Sequence, residues 1–169
     1  AKGTVYLYFS TKEEIFLALL DTHYELLFDF IYLLIDETPD NENAVEMMVD
    51  RLGDFMLLNP DWLPLVSLSN VIIEQNIEQE AVLKHKHMLI ERVFKIGATL
   101  ENHFSFVKEE SGAKLVWRSY AFLIGLYQAT NPPPGLTSLY QAPELSVMSP
   151  DFNSEIGPSL KSLWRGEIL

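Results

Sequence analysis

Thr4, Tyr6 and Tyr8 stand two apart near the start of the chain, with Lys2 before them and Lys12 after. Hydroxyl and ammonium groups of this kind donate hydrogen bonds to phosphate oxygens, and a helix N-terminus adds its own N–H groups. The Tyr6 ring also offers an apolar edge to a thymine methyl in a major groove. Val5 and Phe9, four apart, share a face that packs inward. Taken by themselves, two lysines and two tyrosines are a weak basic patch, and an ordinary short amphipathic helix with half-buried tyrosines explains them better.

Other residues capable of chemistry do not assemble at useful spacings. His85 and His87 are two apart, so on a helix they point in different directions and cannot share one metal ion. His87 and Glu91 share a face, but two groups alone make a weak site, and a solvated pair is the simpler reading. His103 near Glu101 has no third ligand at useful spacing. Phosphate-binding glycine loops and the nucleophile-elbow pattern are missing from the sequence. With no cysteine, thiolate chemistry and disulfides are excluded. The sequence therefore nominates no catalytic residue, no metal and no cofactor, and reads as non-enzymatic.

The large apolar side chains suggest binding. Phe55, Met56, Trp62, Leu65, Met88, Phe94, Trp117, Tyr120 and Tyr127 supply apolar and polarizable surface for a small-molecule pocket, with His87 or Asn70 to orient a polar group. Each of these residues, taken singly, is also explained by core filling, because aromatic stripes at helical spacing usually pack.

The elements that must position these residues are helices. Ser10 or Thr11 caps a helix over about Lys12 to Asp36, with Glu13 or Glu14 in its first turn and Pro39 stopping it. Its apolar positions recur at Phe16, Leu19, Leu20, Leu27, Phe30, Ile31 and Leu34. Further helices are predicted over 42–58, 62–75, 77–104, 113–130 and 151–165. The Pro- and Ser-rich stretch 132–150 between the last two is too long for an ordinary structureless loop, and reads as either an ordered or a mobile crossover. No strand alternation is seen, so the fold class is all-α. The most apolar stretch, 115–129, contains Arg118 and Gln128 and is shorter than the ~20 residues a spanning helix needs. With no targeting segment in view, a cytoplasmic protein is expected.

The helix over 113–130 is apolar on more than one face, and the last helix carries Phe152, Ile156, Leu160, Leu163 and Trp164 as a firm stripe. Packing Phe122 and Leu126 with that stripe against the same residues of a second copy gives a two-fold homodimer. In a monomer, the last helix would instead fold back on the core.

The run Lys2-Gly3-Thr4-Val5-Tyr6-Leu7-Tyr8-Phe9, followed by Ser10-Thr11-Lys12-Glu13-Glu14, resembles the TetR family of bacterial transcriptional regulators. In that family a K-G-T-x-Y-x-Y-F run is the recognition helix of a helix-turn-helix, and K-E-E opens the long helix joining the DNA-binding head to the ligand-binding body. The close match covers about twenty residues, and the succession of helices with a Pro-rich loop before the last is also similar. The resemblance implies DNA contacts from Lys2, Thr4, Tyr6, Tyr8 and Lys12. It also implies an apolar or aromatic effector among the central helices, and a homodimer. Residues 1–36 would then be a recognition-helix remnant with the connecting helix, and 37–169 the ligand-binding and dimerisation domain. The family places two more helices before the recognition helix, so the chain reads as truncated within its head and is expected to reach operator DNA only through a full-length head. A helical dimeric small-molecule carrier or adaptor without a DNA role is the alternative.

The net charge of -12 and pI of about 4.6 speak against nucleic acid for the chain as a whole. Lys2 and Lys12 are the only charged side chains among the first twelve, so the acidity belongs to the body. An acidic body repels a duplex everywhere except at its head, which favours end-on docking.

Overall fold

In a computed structural model, the structure describes residues 8–9, 11–69, 74–140, 142–148 and 150–168. Seven α-helices occur among them, and no strand: α1 (Lys12–Glu37), α2 (Ala44–Leu58), α3 (Trp62–Leu68), α4 (Gln79–His103), α5 (Gly112–Thr130), α6 (Thr137–Tyr140) and α7 (Phe152–Ile168). No helix among the described residues is long and apolar enough to cross a membrane.

Local chemistry sets the ends of α1. The Thr11 hydroxyl accepts from the backbone N–H of Glu14 at 3.1 Å, satisfying one of the donors a helix start leaves open, and Glu13 and Glu14 lie in the first turn where the helix dipole favours acids. At the other end Thr38 is buried, and its hydroxyl donates to the Leu34 carbonyl at 2.7 Å. His103, in the last turn of α4, donates through Nε2 to the Thr38 carbonyl at 2.7 Å. The end of α4 is thereby tied to the end of α1. With 26 residues, α1 is about 39 Å long. It buries Leu20, Tyr24, Leu27, Phe28, Leu34 and Ile35, each apolar side chain worth roughly 1.5–3 kcal/mol of transfer free energy. Its other side leaves Phe16, Leu19, Leu26 and Leu33 exposed.

Five helices close into a ring. α1 packs on α2, α2 on α7, α7 on α5, α5 on α4 and α4 back on α1, while α3 fits between α1 and α5. At the α4–α5 crossing the two backbones approach closely. A Cβ added to Gly97 would lie 2.3 Å from the Ala113 nitrogen, and one added to Gly112 would lie 2.2 Å from the Gly97 carbonyl oxygen. The Glu101 carboxylate locks this crossing by accepting from the Gly112 N–H at 2.7 Å. α7 is held to α2 by ion pairs of Lys161 with Asp50 (2.6 Å) and of Arg165 with Glu46, and to α5 by Arg118 with Glu167. The Glu46 carboxyl lies below its usual range, chiefly because its own backbone N–H donates to it and then because Arg165 is beside it.

Two features sharpen the sequence reading and one differs from it. Within the predicted helix 62–75, α3 is assigned to Trp62–Leu68 and a 3-10 turn to Glu74–Asn76, while residues 70–73 lie outside the described residues. Ser67 and Ser69 donate to the carbonyls of Pro64 and Val66 at 2.8 and 2.9 Å. The proline-rich crossover is built from short helical turns at Pro134–Leu136, Thr137–Tyr140 and Pro143–Met148. Lastly, Ile156, Leu160 and Trp164 do not face outward towards a second copy. They are buried within the protomer because α7 lays this stripe against α2 and α5. Phe122, Leu126, Phe152 and Leu163 are only half-buried and pack at the margin of the core.

Candidate functional site

The helix ring lines a half-open cavity of about 1440 Å³, larger than the 300–1,000 Å³ typical of small-molecule sites. Its walls come from every ring helix. α1 contributes Tyr24, Leu27, Phe28, Ile31 and Leu34, α2 contributes Met48, Leu52 and Met56, and α3 contributes Trp62. α4 adds Leu89, Val93 and Ile96, α5 adds Ser119, Tyr120, Leu123 and Ile124, and α7 adds Trp164. The exposed apolar members of the lining, Ile90, Phe94, Ala98, Trp117 and Ala121, all belong to α4 and α5, so the cavity reaches solvent along that helix pair.

Aromatic rings meet at one end. Tyr24 stacks on Phe28 with centroids 5.7 Å apart and meets Trp62 edge-on at 6.0 Å; Trp62 meets Tyr120 edge-on at 6.5 Å. The Tyr24 hydroxyl donates to the Tyr120 hydroxyl at 3.0 Å, spanning α1 and α5. Ser119 is already engaged, since it donates to the Leu115 carbonyl at 2.8 Å and accepts from the Trp164 indole N–H at 3.0 Å. Every charged lining residue (Lys86, Glu101, Glu109, Glu110, Lys114 and Arg118) is half-buried or exposed. The interior is therefore apolar and aromatic with hydroxyl and indole groups, an environment that takes up uncharged apolar molecules and rejects ions by their desolvation cost.

Of the residues nominated from sequence, the cavity brings together Trp62, Phe94, Trp117 and Tyr120, with Met56 beside them. Four others lie outside its lining. Phe55 stacks on Phe30 with centroids 4.5 Å apart, and Tyr127 meets Phe152 edge-on at 6.0 Å. Leu65 and Met88 pack half-buried against the core. His87 is exposed, and Asn70 lies outside the described residues. Sequence reasoning missed the whole α1 wall. Its signal was present as the apolar repeat through Leu27, Ile31 and Leu34, which reads equally well as core.

Two polar links join α1 to α4 next to this wall. His85, 3% exposed, donates through Nδ1 to the Asp21 carboxylate at 2.5 Å, and its ring lies 5.8 Å from that of Tyr24. One turn further along α1, Arg92 donates to Glu25 at 2.6 Å while lying over the Phe28 ring at 5.8 Å. No group of three or more metal-ligating side chains occurs among the described residues.

At the N-terminal end of α1, Tyr8 is 80% exposed, and Lys12 projects from the helix start with its ammonium 3.7 Å from Glu13. Lys2, Thr4 and Tyr6 lie outside the described residues.

A family model described as tetracyclin repressor-like, C-terminal domain, matches residues 24–168. No curated protein matches the chain.

Proposed function

The chain belongs to the tetracyclin repressor-like family through its C-terminal domain, a family of non-enzymatic regulators, and from that premise we propose that it is a ligand-responsive transcriptional repressor acting in the cytoplasm. A small apolar or aromatic effector occupies the helix-ring cavity, and its binding releases operator DNA. The observation that carries this reading is the position of α1. Its middle, Tyr24 to Leu34, is a wall of the cavity, and its beginning, at Lys12, adjoins the segment that resembles a recognition helix. A ligand that displaces Tyr24, Phe28 or Ile31 shifts the far end of the same rigid helix. The links of α1 to α4 through Asp21–His85 and Glu25–Arg92 are what such a shift would strain.

The mechanism is a population shift. A ligand preferring the α1 position in which two heads are wrongly spaced for successive major grooves depopulates the DNA-bound state. In this reading Lys2, Thr4, Tyr6, Tyr8 and Lys12 make the DNA contacts, and Trp62, Phe94, Trp117 and Tyr120 contact the effector. Two heads require two copies. The outer face of α5 suits a two-fold contact: Gly125 and Ala129 are exposed at a spacing of four and lie outside the cavity lining, flanked by half-buried Phe122 and Leu126. A Cβ added to Gly125 meets nothing within 4 Å, leaving room for a neighbouring helix. Phe152 and Leu163 of α7 extend the same contact.

The test is immunoprecipitation of the native protein from its host, with sequencing of the bound DNA, beside native mass spectrometry of the same preparation. A homodimer that enriches a palindromic DNA site, and loses it when the co-purified small molecule is added back, is the expected result. A ligand-loaded dimer that enriches no DNA refutes the regulator reading in favour of a carrier.

A further inference from the structure

The three tryptophans have three different fates for their indole N–H. That of Trp164 donates to Ser119 Oγ at 3.0 Å. Trp117 is 60% exposed, so water reaches it. Trp62 is 1% exposed, and its Nε1 meets no acceptor. A buried donor without an acceptor is a standing cost, and such groups are rare in folded proteins. Trp62 is also a wall of the cavity, at the end where Tyr24 and Tyr120 meet it edge-on.

We propose that Trp62 is the orienting hydrogen-bond donor of the cavity, and that its ligand is an uncharged aromatic or apolar molecule bearing a carbonyl-type acceptor oxygen. The inference rests on the effector-binding reading above and specifies its chemistry. Indole is donor-only, so its complement must be an acceptor and cannot be an ammonium group. The charged lining residues are half-buried or exposed, so nothing fully buried in the wall would neutralise a carboxylate at this end. Met48 and Met56 share the wall. Their unbranched side chains adjust readily to the shape of a ligand in this wall.

Benzophenone and diphenylmethane serve as matched probes, since they share two phenyl rings and differ by one carbonyl oxygen. Affinities are measured by titration calorimetry on the wild-type chain and on Trp62→Phe. The preference for benzophenone over diphenylmethane is expected to fall roughly tenfold in Trp62→Phe, with diphenylmethane affinity little changed. Should the variant fail to fold, the wild type answers alone. In its ¹⁵N-correlated spectrum the Trp62 indole signal, assigned through its contact with the Tyr24 ring, is expected to move downfield with benzophenone and to stay in place with diphenylmethane. Both probes binding, with that signal unmoved by the ketone or with the preference unchanged in Trp62→Phe, overturns the role of Trp62 and leaves the cavity reading intact. Neither probe binding overturns the cavity reading, and this inference with it.

Discussion

His85 of α4 and Asp21 of α1 are 64 residues apart in sequence, yet Nδ1 of one lies 2.5 Å from Oδ1 of the other. The imidazole is buried and the carboxylate only partly so. The buried partner therefore depends on the exposed one. Replacing Asp21 with Ala leaves a buried ring nitrogen unsatisfied and is expected to destabilise the fold by about 1–3 kcal/mol. Asp21→Asn, which retains an acceptor, is expected to cost less. Urea unfolding followed by far-UV circular dichroism measures both, and equal stability of Asp21→Ala and wild type refutes the dependence.

The α4–α5 crossing gives a contrast between glycines. Gly97→Ala drives a methyl to 2.3 Å from a backbone nitrogen that cannot rotate away, so the helices must part. Overpacking of this kind costs about 1–3 kcal/mol or more. At Gly53, inside α2, a Cβ meets nothing within 4 Å. Gly53→Ala is expected to stabilise by about 0.5–1 kcal/mol through helix propensity. Opposite shifts in urea midpoint at constant slope are the expected readout.

Alkaline pH should weaken the fold. Burial raises the Tyr127 hydroxyl above its ordinary pKa, and burial raises Tyr32 likewise, against the pull of Arg92. A raised pKa in the folded state means that the unfolded chain loses these protons first. The stabilisation is complete below the unfolded value of about 10 and is lost as pH climbs through the folded value. Unfolding midpoints measured from pH 8 to 11 are expected to fall above pH 10, and to fall less steeply in Tyr127→Phe.

The proposed dimer can be broken on the outer face of α5. Ala129 is exposed in the protomer and outside the cavity lining, so Ala129→Arg leaves the monomer fold in place while setting a like charge and a long side chain on each side of a two-fold contact. Sedimentation velocity is expected to show a dimer for wild type and a monomer for the variant, with unchanged circular dichroism. Dimeric Ala129→Arg of undiminished affinity places any interface elsewhere.

Much of the architecture was legible residue by residue. The hydroxyl of Thr11, the acids at 13 and 14, and the prolines at 39 and 60 mark helix ends because they act on backbone groups within one turn. Apolar residues at helical spacing showed which faces are buried, and the all-helical fold follows from them. The cavity was legible only in part. Trp62 and Tyr120 stood out by size and type, whereas Tyr24, Leu27 and Ile31 looked like any other core stripe.

What the sequence determined by itself is thus local: the helices, their caps, the apolar face of each, and an N-terminal motif of fixed offsets. Periodicity states that a face is covered and is silent on what covers it. Only the tertiary structure decided that the α7 stripe of Ile156, Leu160 and Trp164 turns into its own protomer, because closing the helix ring presents α2 and α5 to it. Packing likewise decided the fates of chemically identical groups. Trp164 is carried to Ser119 and Trp62 to no acceptor, since an indole finds its partner on a helix distant in sequence and no local rule specifies which.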